Sequence, residues 1–150
     1  MKLSRFAAGM YAFAGLSGLL SVALAALAAH ALASIAPAGD QAVVWFKEAT
    51  AFQATHTLAM ILVVTVAERV DEGLGRRLMR ISAWLLAAAV VLFPGALYSI
   101  SFGGPVFTAP FGGISAMAGW ALFGVGAWLA RSPESHFTES PATESHSPEL

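Results

Sequence analysis

Six side chains in this sequence have types and spacings that could do chemistry if they met: His30, Glu48, Gln53, His56, Tyr98 and Ser99. An imidazole can pass a proton or bind a metal, and amide, phenol and hydroxyl groups can orient a small polar ligand. Gln53 and His56 stand three residues apart, a spacing that shares a helical face with Ala49 and Met60. His56 is expected to point between helices, with Gln53 or Tyr98 among its neighbours. Three readings are open: a structural hydrogen-bond network, a cavity for a lipid, quinone, proton or other small ligand, and a metal centre of His30, Glu48 and His56. The metal reading has neither a His-Glu-x-x-His run nor a pair of histidines four apart behind it.

No catalytic residue, metal or cofactor is expected. Ser99 and Ser101 have no Gly-x-Ser-x-Gly elbow around them. The Gly-Gly pairs at 103–104 and 112–113 lack the Lys-Ser/Thr of a phosphate loop. With no cysteine in the chain, disulfide frameworks, zinc ribbons and thiol catalysis are excluded. A net charge of -1 supplies no basic face for nucleic acid.

The elements that position the six residues follow from composition. Hydrophobic residues make up 57% of the 150 and charged ones 11%, against about a quarter charged in soluble domains. Too few polar side chains remain to cover a water-facing surface, so lipid is the solvent. Crossing the bilayer takes about 20 mainly apolar residues, and four stretches qualify, at about 6–32, 43–67, 78–101 and 110–130. Pro37 and Gly39, then Gly73 and Gly75, then Gly103, Gly104 and Pro105 break the chain between them. The first stretch is too long for the hydrophobic region of a cleaved signal peptide, so it is read as a retained span. Short connections make neighbouring spans antiparallel. The expected fold is all-α, a polytopic bundle of four transmembrane helices in one domain, residues 1–131.

Seven basic residues (Lys2, Arg5, Arg69, Arg76, Arg77, Arg80 and Arg131) fall on one side of this arrangement and Lys47 alone on the other. Basic residues favour the cytoplasmic side, which places both termini inside. Residues 132–150 are rich in Ser, Pro, Thr and Glu with no Lys or Arg, the composition of a disordered acidic tail. Its two Glu-Ser-His triplets, at His136 and His146, are too sparse for a metal tract.

Small residues are expected to bring the helices together, because lipid removes most of the hydrophobic drive for association. Ser17, Ser21, Ala25 and Ala29 recur every four residues on the first span, beside Ala14 and Gly18. The last span carries Gly112, Ala116 and Gly124 at multiples of four, with Gly119 and Gly126 elsewhere. Pro94 cannot donate to Val90 and should bend the third span.

Several segments together resemble the family of small bacterial inner-membrane proteins called domain of unknown function 423, which is similar to the animal transmembrane protein 256 group. They are Gly15–Leu20 with Ala28-Ala29-His30-Ala31-Leu32, then Phe52-Gln53-Ala54-Thr55-His56-Thr57-Leu58-Ala59, Leu92-Phe93-Pro94-Gly95-Ala96-Leu97-Tyr98-Ser99, and Pro110-Phe111-Gly112-Gly113 with Gly119-Trp120. Family members usually place Thr-Pro directly before the Gly-Gly pair, whereas here Ala109 separates Thr108 from Pro110. The resemblance implies a four-helix, multi-pass protein of the bacterial inner membrane and no established activity. The sequence therefore reads as a non-enzymatic structural or accessory membrane component surrounded by membrane lipids, either a homo-oligomer or part of a larger complex. The alternative is a small transporter, or a membrane protein that binds a lipid, quinone or other small ligand, using a polar pocket that His30, Glu48, Gln53, His56, Tyr98 and Ser99 would form in the outer half of the bundle.

Overall fold

A computed structural model describes residues 3–131; Lys2 and the acidic tail lie outside the described residues. Among the described residues five helices follow one another: α1 Arg5–His30, α2 Leu32–Ile35, α3 Asp40–Ala67, α4 Leu74–Ser101 and α5 Ala109–Leu129. All but α2 are long and apolar enough to cross a membrane, and no strand occurs among the described residues. The 28 residues of α3 extend about 42 Å at 1.5 Å per residue, more than the hydrocarbon core of about 30 Å.

Local chemistry sets the ends. Ser4 caps α1, its hydroxyl accepting from Ala7 N at 3.1 Å. The turn into α3 rests on Gly39, whose φ of +55° few other residues adopt. After α4 the chain turns at Gly103, φ +80°. A side chain at the adjoining Gly104 would run into the Ser99 hydroxyl. That turn explains the first Gly-Gly pair. Helix α4 continues unbroken through Pro94, which is fully buried.

The long helices pack antiparallel in chain order. On α1 the buried residues are Ala7, Met10, Ala14, Ser17, Ser21 and Ala28, a seven-residue rhythm that faces α3. Facing them on α3 are Thr50, Gln53, Thr57, Met60 and Val64, all buried. The four-residue stripe expected on α1 holds only in part: Ser17 and Ser21 are inside, but Ala25 and Ala29 are exposed. A four-step drifts by about 40° round a helix of 3.6 residues per turn, so the stripe turns away from α3.

The closest approach is between α4 and α5. A Cβ built on Gly112 would lie 2.5 Å from Phe93 N. One on Gly119 would lie 3.0 Å from Leu86 Cδ2, and one on Gly126 2.9 Å from the Gly75 carbonyl oxygen. These three glycines are seven apart, the repeat of a left-handed helix pair. Gly124, expected on the packing stripe, is exposed with nothing within 4 Å of a built Cβ. Three hydroxyls add bonds across or beside this seam: Ser82 Oγ to Gly119 O at 2.6 Å, Ser115 Oγ to Leu85 O at 2.9 Å, and Thr108 Oγ1 to Leu92 O at 3.2 Å. With glycine removing the side-chain layer, backbone carbonyls come within reach of hydroxyls on the facing helix.

Candidate functional site

Gln53 is the polar hub of the bundle. It is 5% exposed and, like Ser17 on α1, stands at the midpoint of its helix. Its Nε2 donates to the Ser17 carbonyl at 2.9 Å and lies 3.2 Å from Ser17 Oγ. Its Oε1 accepts from the Tyr98 hydroxyl at 2.8 Å. A backbone carbonyl can only accept, so the amide nitrogen must face α1, and that fixes the amide orientation. One side chain of α3 thus ties α1 to α4.

The neighbours extend the network. Ser17 Oγ and Thr57 Oγ1 are 2.8 Å apart. Ser21 Oγ donates to Thr50 O at 3.2 Å. Nearer the other end, Tyr11 and Thr65 hydroxyls meet at 2.9 Å. Thr65 spends its single proton on Ile61 O, so Tyr11 is the donor. Phe46 packs on the Tyr98 ring at 4.7 Å between centroids, holding the phenol where it meets the amide. A polar group without a partner in hydrocarbon costs a few kcal/mol, and these groups meet that cost by pairing with one another.

The other candidates lie apart from this hub. His56 sits about 60° round α3 from Gln53 at 3.6 residues per turn. Its Nδ1 donates to Phe52 O at 2.9 Å, and its ring stacks on Phe52 at 3.8 Å with Trp120 of α5 edge-on at 6.4 Å. The hydrogen-bond and ring partners of His56 are Phe52 and Trp120, where Gln53 or Tyr98 was expected, and the Tyr98 hydroxyl goes to Gln53. Ser99 lies near the end of α4, its hydroxyl against Gly104, and His30 and Glu48 are exposed. No three His, Asp or Glu side chains gather to hold a metal among the described residues, so the centre weighed for His30, Glu48 and His56 is not assembled. His56→Leu should therefore lower stability by less than about 1 kcal/mol, since it removes one hydrogen bond within its own helix. Thermal unfolding in detergent measures this.

Sequence reasoning treated Ser17 and Ser21 as small packing residues and passed over Thr50 and Thr57. The signal was there: Thr50, Gln53 and Thr57 follow the three-then-four spacing of one helix face.

Four antiparallel apolar helices latched by polar side chains at mid-depth define a polytopic α-helical membrane protein. The family described as "Protein of unknown function (DUF423)" matches residues 24–113, and the chain belongs to it. It is 37% identical over 143 residues to the UPF0382 inner membrane protein YgdD of Escherichia coli (strain K12), covering 89% of this chain and 98% of that one. To a UPF0382 membrane protein of Haemophilus influenzae it is 34% identical over 120 residues, 78% of this chain and 91% of the relative. The UPF0382 membrane protein YwdK of Bacillus subtilis is 29% identical over 117 residues, 75% and 89% of the two chains. No solved structure matches the chain. Relatives named for the inner membrane and four apolar helices of spanning length make this an inner-membrane protein.

Proposed function

We propose that the chain is a non-enzymatic membrane component that works by assembling in the plane of the bilayer, as a homo-oligomer or as an accessory subunit of a larger complex. The observation that carries this reading is the outer face of α1. Ala8, Ala12, Gly15, Ala23 and Ala26 are exposed there, on either side of the exposed Leu19 and Val22, and just 22% of the most apolar part of that helix is buried. Small residues on a lipid-facing helix permit close approach of another helix. Of the polar groups near the helix midpoints, which a transport or catalytic role would draw on, Ser17, Gln53 and Thr57 are bonded in the Gln53 network, and His56 is bonded to its own helix at Phe52.

The chain contains no cysteine, so a single one can be introduced and labelled cleanly. A photoreactive label on Ala12→Cys should crosslink in native membranes to a second copy or to one defined membrane protein. The same label on Ile114→Cys, exposed on α5, should yield lipid adducts. Lipid adducts from both positions would remove the basis for assembly through α1.

In this reading both termini face the cytoplasm, supported by the seven-to-one division of basic residues. A reporter fused after residue 40 should read periplasmic and one fused after residue 75 cytoplasmic. The reverse pattern would invert the orientation.

A further inference from the structure

Separate from the Gln53 network, a half-open groove of about 700 Å³ runs between α1 and α4. Phe6, Gly9 and Phe13 line it from α1, and Trp84, Ala88 and Leu92 from α4. The wall is almost wholly apolar, with one charged side chain, Arg5, at the end nearest the start of α1. Arg80 stands at the same end, its guanidinium carbon 4.4 Å from the Phe6 ring centroid, a cation–π contact that holds the charge over the groove wall.

We propose that this groove is a binding site for an anionic phospholipid, with one acyl chain along the groove and the phosphate between Arg5 and Arg80. Charge argues for it first. Ion pairs among the described residues use Arg76, with Glu72 at 2.6 Å and Glu68 at 3.7 Å; neither Arg5 nor Arg80 is neutralised in this way. The start of α1 adds the positive end of a helix dipole beside Arg5. Guanidinium groups bind phosphate oxygens through paired N–H donors, and basic residues at the bilayer surface attract anionic lipids.

Length argues for it next. From Arg5 to Phe13 the groove follows α1 for about 12 Å at 1.5 Å per residue. One leaflet holds about 15 Å of hydrocarbon. A chain lying along the groove therefore has its headgroup at the arginines and its tail within the same leaflet. A second copy seated here would bring its own basic end against Arg5 and Arg80 if it entered from the same side. A phospholipid brings both the apolar length and the anion.

The test uses the full chain purified in mild detergent, stripped of lipid and titrated with phosphatidylglycerol or phosphatidylcholine under native mass spectrometry. Phosphatidylglycerol should bind roughly tenfold or more tightly, given two arginines at the headgroup. Arg5→Gln with Arg80→Gln should erase that preference. Gly9→Leu should fill the groove and release the lipid while leaving the unfolding temperature unchanged, because nothing lies within 4 Å of a Cβ at Gly9. Equal binding of the two lipids, a preference that survives the double arginine change, or a Gly9→Leu chain that binds as before would each overturn the proposal. So would a preference that emerges only when residues 132–150 are removed, since the acidic tail would then be what the arginines hold.

Discussion

Gly112→Ala should destabilise the folded chain by about 3 kcal/mol, while Gly124→Ala, on the same helix, should leave stability unchanged or raise it by up to about 1 kcal/mol. The two changes are chemically identical and differ in what the new methyl meets. At Gly112 it would stand 2.5 Å from Phe93 N and 2.9 Å from Phe93 Cα. Those are backbone atoms of a helix that also carries the buried Pro94, so no side chain can swing aside. Helices α4 and α5 would have to separate, weakening the Ser82 and Ser115 bonds across the seam. At Gly124 the methyl meets open space, and the gain is the lost backbone freedom of glycine in the unfolded chain. Unfolding of both variants in one detergent gives the comparison, and equal effects would mean that α4 and α5 do not meet along the glycines.

Gln53→Leu should cost about 2 kcal/mol, because it removes bonds to two helices at once and interhelical hydrogen bonds in membranes contribute about 0.6 kcal/mol on average and up to about 1.7. The change also leaves the Tyr98 hydroxyl without its acceptor. Tyr98→Phe alone removes one bond and should cost about 0.6 kcal/mol. Once Gln53 is gone, the phenylalanine change should cost little more, and that shortfall from additivity is the coupling between the two side chains. Fully additive losses would show that the amide and phenol act independently.

The number and order of the spans are legible because hydropathy and the Gly/Pro breaks act locally. The helix starts are less so. Helix α4 begins at Leu74, ahead of the apolar stretch from 78, because Arg76 and Arg77 are helix formers that a hydropathy reading assigns to a loop. Helix α3 begins at Asp40, where an acidic side chain is favoured at a helix N-terminus. The short α2 is invisible as a separate element, because its break from α1 at Ala31 lies inside an apolar run.

Packing was harder to read than span position. Gly112, Ala116 and Gly124 looked like one stripe at multiples of four, yet from 112 to 124 the face turns by about 120° at 3.6 residues per turn. From 112 to 126 it turns back by about 40°, since each heptad drifts by about 20°, and Gly126 stays at the interface. The choice depends on the partner helix, which a single span does not reveal. The same holds for the polar residues. Gln53 needs a partner on sequence grounds, but which α3 side chain meets Tyr98 depends on the face that α3 turns toward α4, Gln53 and His56 standing about 60° apart round the helix. His30 and Glu48 looked close because both flank the first connection, yet they point outward.

The measurement that bears most directly on the central claim is the mass of the wild-type chain, extracted in mild detergent and analysed by native mass spectrometry beside Gly15→Leu and Gln53→Leu. Assembly through α1 predicts a wild-type species containing a second copy or one defined partner protein. Gly15→Leu, with open space around its Cβ in the isolated chain, should reduce that species to a monomer with unchanged unfolding temperature. A wild-type monomer carrying a small non-lipid molecule, lost in Gln53→Leu and untouched by Gly15→Leu, would contradict the account and make the polar residues a ligand site.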